Sequence, residues 1–597
     1  MKFASIQNMR YPKTSISVLL ILILLIANFR IITTDEQKAI YEPSVEHLTS
    51  ICGAIAALHY GQSRYICPKE IYRKIEMSKA YLGSPQSADA SIKEAMELKN
   101  VNFEDGILAG IASGNGYVDF VCLSFLLFGF KIVSLVYLYF LILNISIAVF
   151  WLTCRRNSLG LLFLAIFLLS HYIIIKMPPY FDFGWQLGSV INYRFLPVLT
   201  ILPTIHILMV SLSGQRLTGR AFAGVLIQSM IIVFILWIRG SIIWIGLLFI
   251  CAIVLKIFFN VWRSRVSSEK GHQEDLTGIS GIMRTMRVWP IVPFLSMFLF
   301  LIIGKSFIFG PEFKKREGMG HHVVWHSVYA GLALHPDIRK SYSTASYDGM
   351  SYGKSRGERV HGPTCSDQYM RGHPMKVAVK KWLCADAQRW LFEIIYALKH
   401  PIEYMPSDQD SFSASFKWLY DNGYSEYEVF NFRPEDDVDY KGSFQWFNQS
   451  SEMNKKRPFQ IIGDYNYSRH DSIMKDVVKD VIRTHPLQVA QNIFLDKPLR
   501  FFLACSRYIS FTSLSIWCLF IVLLLHFFMM EVERFRNETF QILKLLSLIF
   551  VFSLIPVFCV YPADYLIANT VLILIMAILF TIFMLLIPMI YEGDSKI

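Results

Sequence analysis

The sequence predicts a polytopic α-helical membrane protein of about ten transmembrane helices, with a mainly helical or α+β domain inserted between the seventh and eighth. Three observations carry this. The 597 residues are 54% hydrophobic, 15% aromatic and only 17% charged, with a mean hydropathy of +0.40, whereas soluble chains are about a quarter charged. About ten apolar runs approach the roughly 17 to 25 residues needed to cross a hydrocarbon core of about 30 Å. The basic residues between those runs concentrate in alternate loops, as the positive-inside rule requires.

The runs fall near 14 to 32, 132 to 153, 158 to 175, 195 to 212, 221 to 238, 241 to 261, 288 to 309, 508 to 530, 543 to 560 and 565 to 590. Lys2, Arg10 and Lys13 precede the first, and Arg155-Arg156, Arg216 with Arg220, Arg263 with Arg265, and Arg534 with Arg536 occupy alternate loops. Both termini are therefore expected in the cytoplasm. The opposite short loops carry little charge beyond Lys176, Arg194 and Arg239. The net charge of +12 follows from this asymmetry and from lipid headgroups, and does not point to nucleic acid. Met1 to Lys13 would also serve as the basic region of a signal peptide, but no A-x-A-like site follows Ala27.

Five segments follow: a cytoplasmic N-terminus with the first span (1 to 32), a first extracytoplasmic loop with interfacial helices (33 to 131), spans two to seven (132 to 309), a large extracytoplasmic domain (310 to 507), and spans eight to ten (508 to 597). In the first loop, amphipathic spacing predicts short helices over Glu70 to Tyr81 and Ala88 to Leu98. Tyr117 to Phe130, polar at its start, reads as a helix lying in the interface. The late region is long enough to bury its own core. Its last part, Asn466 to Phe501, reads as one or two amphipathic helices with Ile473, Val477, Val478, Val481 and Ile482 on one side, docking the region onto the membrane. Cys52 with Cys67, and Cys365 with Cys384, fit two local disulfides on an oxidising side. His206, mid-way along the fourth run, reads as a buried, hydrogen-bonded side chain.

Asp35 and Glu36 emerge directly from the end of the first run. A carboxylate at a bilayer boundary is expensive to desolvate and is usually kept for a partner or a reaction. In the late region, His321, His322, Trp325, His326 and Tyr329, followed by Asp348 and Tyr352, form a His- and aromatic-rich cluster suited to sugar or headgroup contact. His322 and His326 stand four apart and would share one helical face toward a divalent cation with Asp348, but no H-E-x-x-H pattern and no third ligand accompanies them. No metal is assigned, and no cofactor is required. The chain has no G-x-x-x-x-G-K-[ST] or G-x-G-x-x-G motif for a soluble nucleotide-binding domain.

The acidic pair at the head of a long first extracytoplasmic loop, the interfacial helices of that loop, the many spans and the cytoplasmic N-terminus together resemble the GT-C superfamily of membrane glycosyltransferases. The likeness is to the branch holding protein O-mannosyltransferases and the lipid A aminoarabinose transferase. That resemblance implies an enzyme of the inner (plasma) membrane that works on the periplasmic or extracytoplasmic side. It would take a lipid-linked sugar donor, a polyprenyl phosphate, and an acceptor that is a lipid, a glycan or a protein. It maps the essential acid onto Asp35, with Glu36 beside it, and implies inversion at the anomeric carbon. Asp35 would be the general base, a contribution of roughly 10² to 10⁴-fold. Arg239, Arg194 and Arg30 are the cations placed to hold the donor phosphate. The chain departs from the family in its span count and in the large insertion after the seventh span. Two other readings compete: an O-antigen ligase or polymerase-like enzyme using Arg339, His361 or His326 of the late loop, and a non-enzymatic transporter or scaffold.

Overall fold

The structure, a computed structural model, describes residues 14–33, 45–77, 85–103, 107–109, 115–154, 158–176, 195–212, 219–254, 258, 291–308, 481–499, 532–559 and 569–582, with single positions at 325, 328, 331, 332, 335, 338, 475, 478 and 479. Helix occupies every predicted apolar run except the eighth, which lies outside these residues. Among the described residues, the helical stretches Val133–Thr153 and Gly219–Ile238 are long and apolar enough to cross a membrane, and shorter apolar helices accompany them.

The helices are α1 (Thr14–Thr33), α2 (Val45–Leu58), α3 (Lys69–Met77), α4 (Pro85–Met96), α5 (Asn115–Phe128), α6 (Val133–Cys154), α7 (Ser158–Lys176), α8 (Ile201–Leu212) and α9 (Gly219–Ile238). Beyond them come α10 (Trp244–Val254), α11 (Val292–Ile308), α12 (Pro486–Gln491), α13 (Val532–Cys559) and α14 (Asn569–Ile582). Single turns of 3₁₀-helix, Leu196–Thr200 and Gly240–Ile243, lead into α8 and α10. β1 (Ile66–Cys67) and β2 (Ile107–Leu108) pair antiparallel, Ile66 opposite Leu108 and Cys67 opposite Ile107.

α9 is the hub and packs against α5, α6, α8 and α11. Helices this uniformly apolar gain little by sorting faces, so polar side chains and small residues set the register. Ser146 of α6 donates to Gln228 Oε1 of α9 at 3.0 Å, and Gln228 Nε2 donates to the Ser146 carbonyl at 2.9 Å. A Cβ on Gly224 would stand 3.2 Å from Val149. As the α6 position rises from 146 to 149 the α9 position falls from 228 to 224, so the two helices run antiparallel and the end of α9 lies level with the start of α6.

α1 packs on α7 through a second buried polar group. Asn28 Nδ2 donates to the carbonyls of Leu24 (2.8 Å) and Leu168 (3.1 Å), which leaves Asn28 Oδ1 as an acceptor. His171 Nδ1, 2.7 Å from that oxygen, must carry the proton. Its Nε2 is then the acceptor for the Tyr139 hydroxyl at 2.6 Å. All three residues are fully buried. Tyr139 belongs to the first half of α6, so Asn28, in the last third of α1, lies level with the final turns of α9. The end of α1 is within about 8 Å of that level along the axis, at 1.5 Å rise per residue.

The first loop region folds as a small body on this end of the bundle. α2 packs on α5, and α3 on α4. The α3 and α4 helices confirm the amphipathic spacing: Ile71, Tyr72, Ile75, Ile92 and Ala95 are buried. The Tyr60 hydroxyl is 2.9 Å from the carbonyls of Ala95 and Leu98. Asp89 Oδ1 accepts from the Ile132 N–H at 2.8 Å, tying α4 to the start of α6. Cys52 and Cys67 are joined by a disulfide with a Cα–Cα distance of 5.2 Å, which fixes β1 to α2. Gly53 allows that approach: a Cβ there would collide with the Arg64 carbonyl and stand 2.6 Å from Ala109 Cβ.

Of the late region, the described residues lie near its two ends, and they meet. Trp325 lies under Lys475, with Nζ 5.9 Å from the ring centroid. Leu332, Ile338, Val478 and Val481 are buried, whereas Ile482, expected on the same apolar side, is 48% exposed.

Candidate functional site

The charged group best defined by the fold lies where β1, α5 and α9 converge. The Cys52–Cys67 staple and the contact over Gly53 hold the backbone at Arg64 and Tyr65. Arg64 Nε forms an ion pair with Asp119 Oδ1, on the second turn of α5. That N–H does not point along the line to the oxygen, so the contact is ionic without being an aligned hydrogen bond. Arg64 Nη2 is 3.0 Å from the Tyr65 hydroxyl. From the other side, Trp237 Nε1 donates to Asp119 Oδ2 at 2.6 Å. α5 reaches Trp237 because residue 116 is glycine: a Cβ there would overlap the Trp237 carbonyl.

Asp119 is mostly enclosed, while the Arg64 side chain is 42% exposed. Burial is the largest influence on Asp119 and raises its pKa above the usual carboxylate range; the Arg64 charge and hydrogen bonds from Trp237 and Tyr65 pull the other way. Burial, then the Asp119 charge, pushes the Tyr65 phenol up to about 12. The same two causes push the Cys122 thiol, one turn along α5, up to about 12. The Arg64 pKa is raised; its burial acts to lower it, and the Asp119 charge acts to raise it. The group is a carboxylate held by one cation and two neutral donors, with the Arg64 side chain partly exposed.

Arg239 follows two residues after Trp237. It precedes the Gly240–Ile243 turn in extended conformation (φ −138°, ψ 103°), its N–H bonded to the Ile235 carbonyl at 2.7 Å. The α6–α9 register puts it at the same end of the bundle as Arg64 and Asp119. Arg30 lies in the last turn of α1 and is exposed. No protein-family model, curated protein or solved structure matches this chain. The site therefore has to be read from its own residues.

Asp35, Glu36, Arg194, His321, His322, His326, Tyr329, Asp348, Tyr352, Cys365 and Cys384 lie outside the described residues, as do Arg339 and His361. Trp325 is half-buried, with Lys475 over its ring. Among the described residues no cluster of three or more His, Cys, Asp or Glu is arranged to hold a metal. His206 is buried as expected, but neither ring nitrogen has a hydrogen-bond partner among them; the ring lies edge-on to Phe150 at 5.5 Å. Sequence reasoning missed Arg64, Asp119 and Trp237. The available signal was Asp119 itself, an acid within the otherwise apolar Tyr117 to Phe130 stretch.

Proposed function

We propose that the protein is an integral membrane glycosyltransferase of GT-C type, moving a sugar from a polyprenyl-phosphate-linked donor to an extracytoplasmic lipid, glycan or protein acceptor. The observation that supports this reading best is the gathering of charge at one end of the helix bundle. The final turns of α1 and α9 are level there, the folded first loop packs on α9 and α6 at that end, and Arg30, Arg239 and the Arg64–Asp119 pair lie in that layer. Asp35 is two residues beyond the end of α1. In the proposal it takes the proton from the acceptor hydroxyl as the oxygen attacks the anomeric carbon. The C–O bond to the donor phosphate breaks, and the phosphate leaves with the bonding pair. Arg239, Arg194 and Arg30 neutralise the leaving group, a role for which a guanidinium's planar fork is suited. Glu36 beside Asp35 orients substrate.

The test is transfer of labelled sugar from a host lipid extract by the purified full chain in nanodiscs, comparing wild type with Asp35→Asn and Arg239→Ala. Loss of transfer in Asp35→Asn with folding retained supports the assignment. Undiminished transfer in that variant rejects Asp35 as the base and moves the chemistry to Arg339, His361 or His326.

A further inference from the structure

The segment Pro486 to Leu499 turns four large apolar side chains outward and two polar ones, Asn492 and Lys497, inward. α12 runs into a π-helical turn, Asn492–Asp496, and continues helical through Leu499. Leu487 and Phe494 are each 79% exposed, Leu495 59% and Leu499 56%. Asn492 and Lys497 are fully buried, whereas Gln491 is exposed and Gln488 and Asp496 are half-buried. Asn492 Nδ2 donates to the carbonyls of Leu332 (2.8 Å) and Gly331 (3.2 Å), although its Oδ1 is buried without a partner. Lys497 Nζ donates to the Phe558 carbonyl at 2.8 Å.

In water a surface helix turns its polar side outward. In hydrocarbon the preference inverts, because every polar group needs a partner within the protein. The Asn492 Nδ2 group and the Lys497 ammonium have such partners, and Leu487, Phe494, Leu495 and Leu499 face away from the protein. The Lys497 bond also sets the depth. Phe558 is in the last turn of α13, whose carbonyls lack helical partners and attract a cation. The apolar part of that helix, Leu545 to Pro556, belongs to the ninth predicted run. Beyond residue 499 the chain proceeds to the eighth run, 508 to 530. Before the segment, Arg483 is exposed, a charge suited to lipid phosphate.

We infer that Pro486 to Leu499 is embedded in the membrane interface, with Leu487, Phe494, Leu495 and Leu499 in contact with lipid acyl chains. The occupant of this face is lipid, not a second copy of the chain, because the same buried lysine that orients the face ties it to the end of a membrane run. The inference rests on the reading of the chain as an integral membrane protein.

The experiment places the full chain in nanodiscs containing a phospholipid with a diazirine in its acyl chain, followed by irradiation and peptide mapping. Adducts on Leu487, Phe494 or Leu495, absent from Val489 and Asn492, are expected. Adducts on the exposed sides of α6 (Leu141, Leu152) and α9 (Met230), but none between 486 and 499, overturn the inference and leave the membrane reading intact. Adducts nowhere overturn both. A protein–protein crosslink from a photoreactive residue at 494, in place of a lipid adduct, assigns the face to a second copy and also overturns it. Leu487→Ser with Phe494→Ser should reduce labelling of this segment at least several-fold without changing that of α6.

Discussion

Trp237 donates its indole N–H to Asp119 Oδ2 at 2.6 Å, joining the last turn of α9 to the second turn of α5. The bond works with Arg64 on the opposite oxygen, so Asp119 links the hub helix to the disulfide-stapled loop. Trp237→Phe removes one neutral donor and should destabilise by about 1 to 3 kcal/mol, the usual cost of leaving a buried acceptor unpaired. Asp119→Ala should cost more, because it also strands the partly buried Arg64. Apparent Tm of the full chain in one detergent orders the variants; equal shifts would mean that the charge on Asp119 contributes nothing.

The same carboxyl gives a signed pH effect. Its folded pKa lies above the unfolded one, chiefly through burial, so its contribution is fully present below the unfolded carboxylate pKa and is lost as pH rises through the raised value. Asp119→Asn cannot titrate. The stability of wild type relative to Asp119→Asn should fall as pH rises across that window, and paired melts at several pH values measure it. A difference independent of pH contradicts the burial argument.

The Cys52–Cys67 bridge spans a sequence separation of 15, for which loop-closure entropy predicts about 3 kcal/mol. Cys52→Ser with Cys67→Ser should lose about that much, and protease sensitivity should appear between α2 and α3 before it does in α6 or α9. Gly53→Ala tests the same junction sterically. Its methyl meets the Arg64 carbonyl and Ala109, and overpacking of this kind costs about 1 to 3 kcal/mol.

The buried Asn28–His171–Tyr139 chain predicts a specific tautomer. Because Asn28 Nδ2 already serves two carbonyls, His171 is protonated at Nδ1 and accepts at Nε2. Nitrogen chemical shifts of the His171 ring should report that state. Tyr139→Phe should cost on the order of 1 kcal/mol, the usual net worth of one buried hydrogen bond, and should shift the Nε2 resonance while leaving Nδ1–H in place. An Nε2–H tautomer would mean that the Asn28 amide is turned the other way.

The helices were legible in the sequence wherever one rule sufficed. Apolar runs located α1, α6, α7 and α9 within a few residues, and 3.6-residue spacing located α3 and α4. α2 was missed: Val45–Leu58 has neither the length of a span nor a polar side, since its burial against α5 is a product of tertiary packing. The two-residue β1–β2 ladder is too short to leave a period. The Arg64–Asp119–Trp237 group was illegible for a related reason. Its members come from three elements far apart in the chain, and two glycines, 53 and 116, allow them to meet. Glycine in sequence announces freedom, whereas here its use is close approach.

Cys122 offers the sharpest test of the electrostatics around Asp119. Burial first and the Asp119 charge second push its thiol to about 12, and Arg64 pulls it back. At pH 8 the thiolate fraction is then on the order of one in ten thousand, against about a quarter for an ordinary thiol of pKa about 8.5. Iodoacetamide should therefore modify Cys122 far more slowly than an exposed cysteine, as followed by mass spectrometry of its peptide. The two charged neighbours should act with opposite signs. Asp119→Asn removes a charge that opposes the thiolate and should speed alkylation several-fold; Arg64→Ala removes one that favours it and should slow the reaction. Acceleration by both variants would mean that loosened packing, and not charge, controls access to the sulfur. Slowing by Arg64→Ala alone would place the thiol under Arg64 and beyond the reach of Asp119.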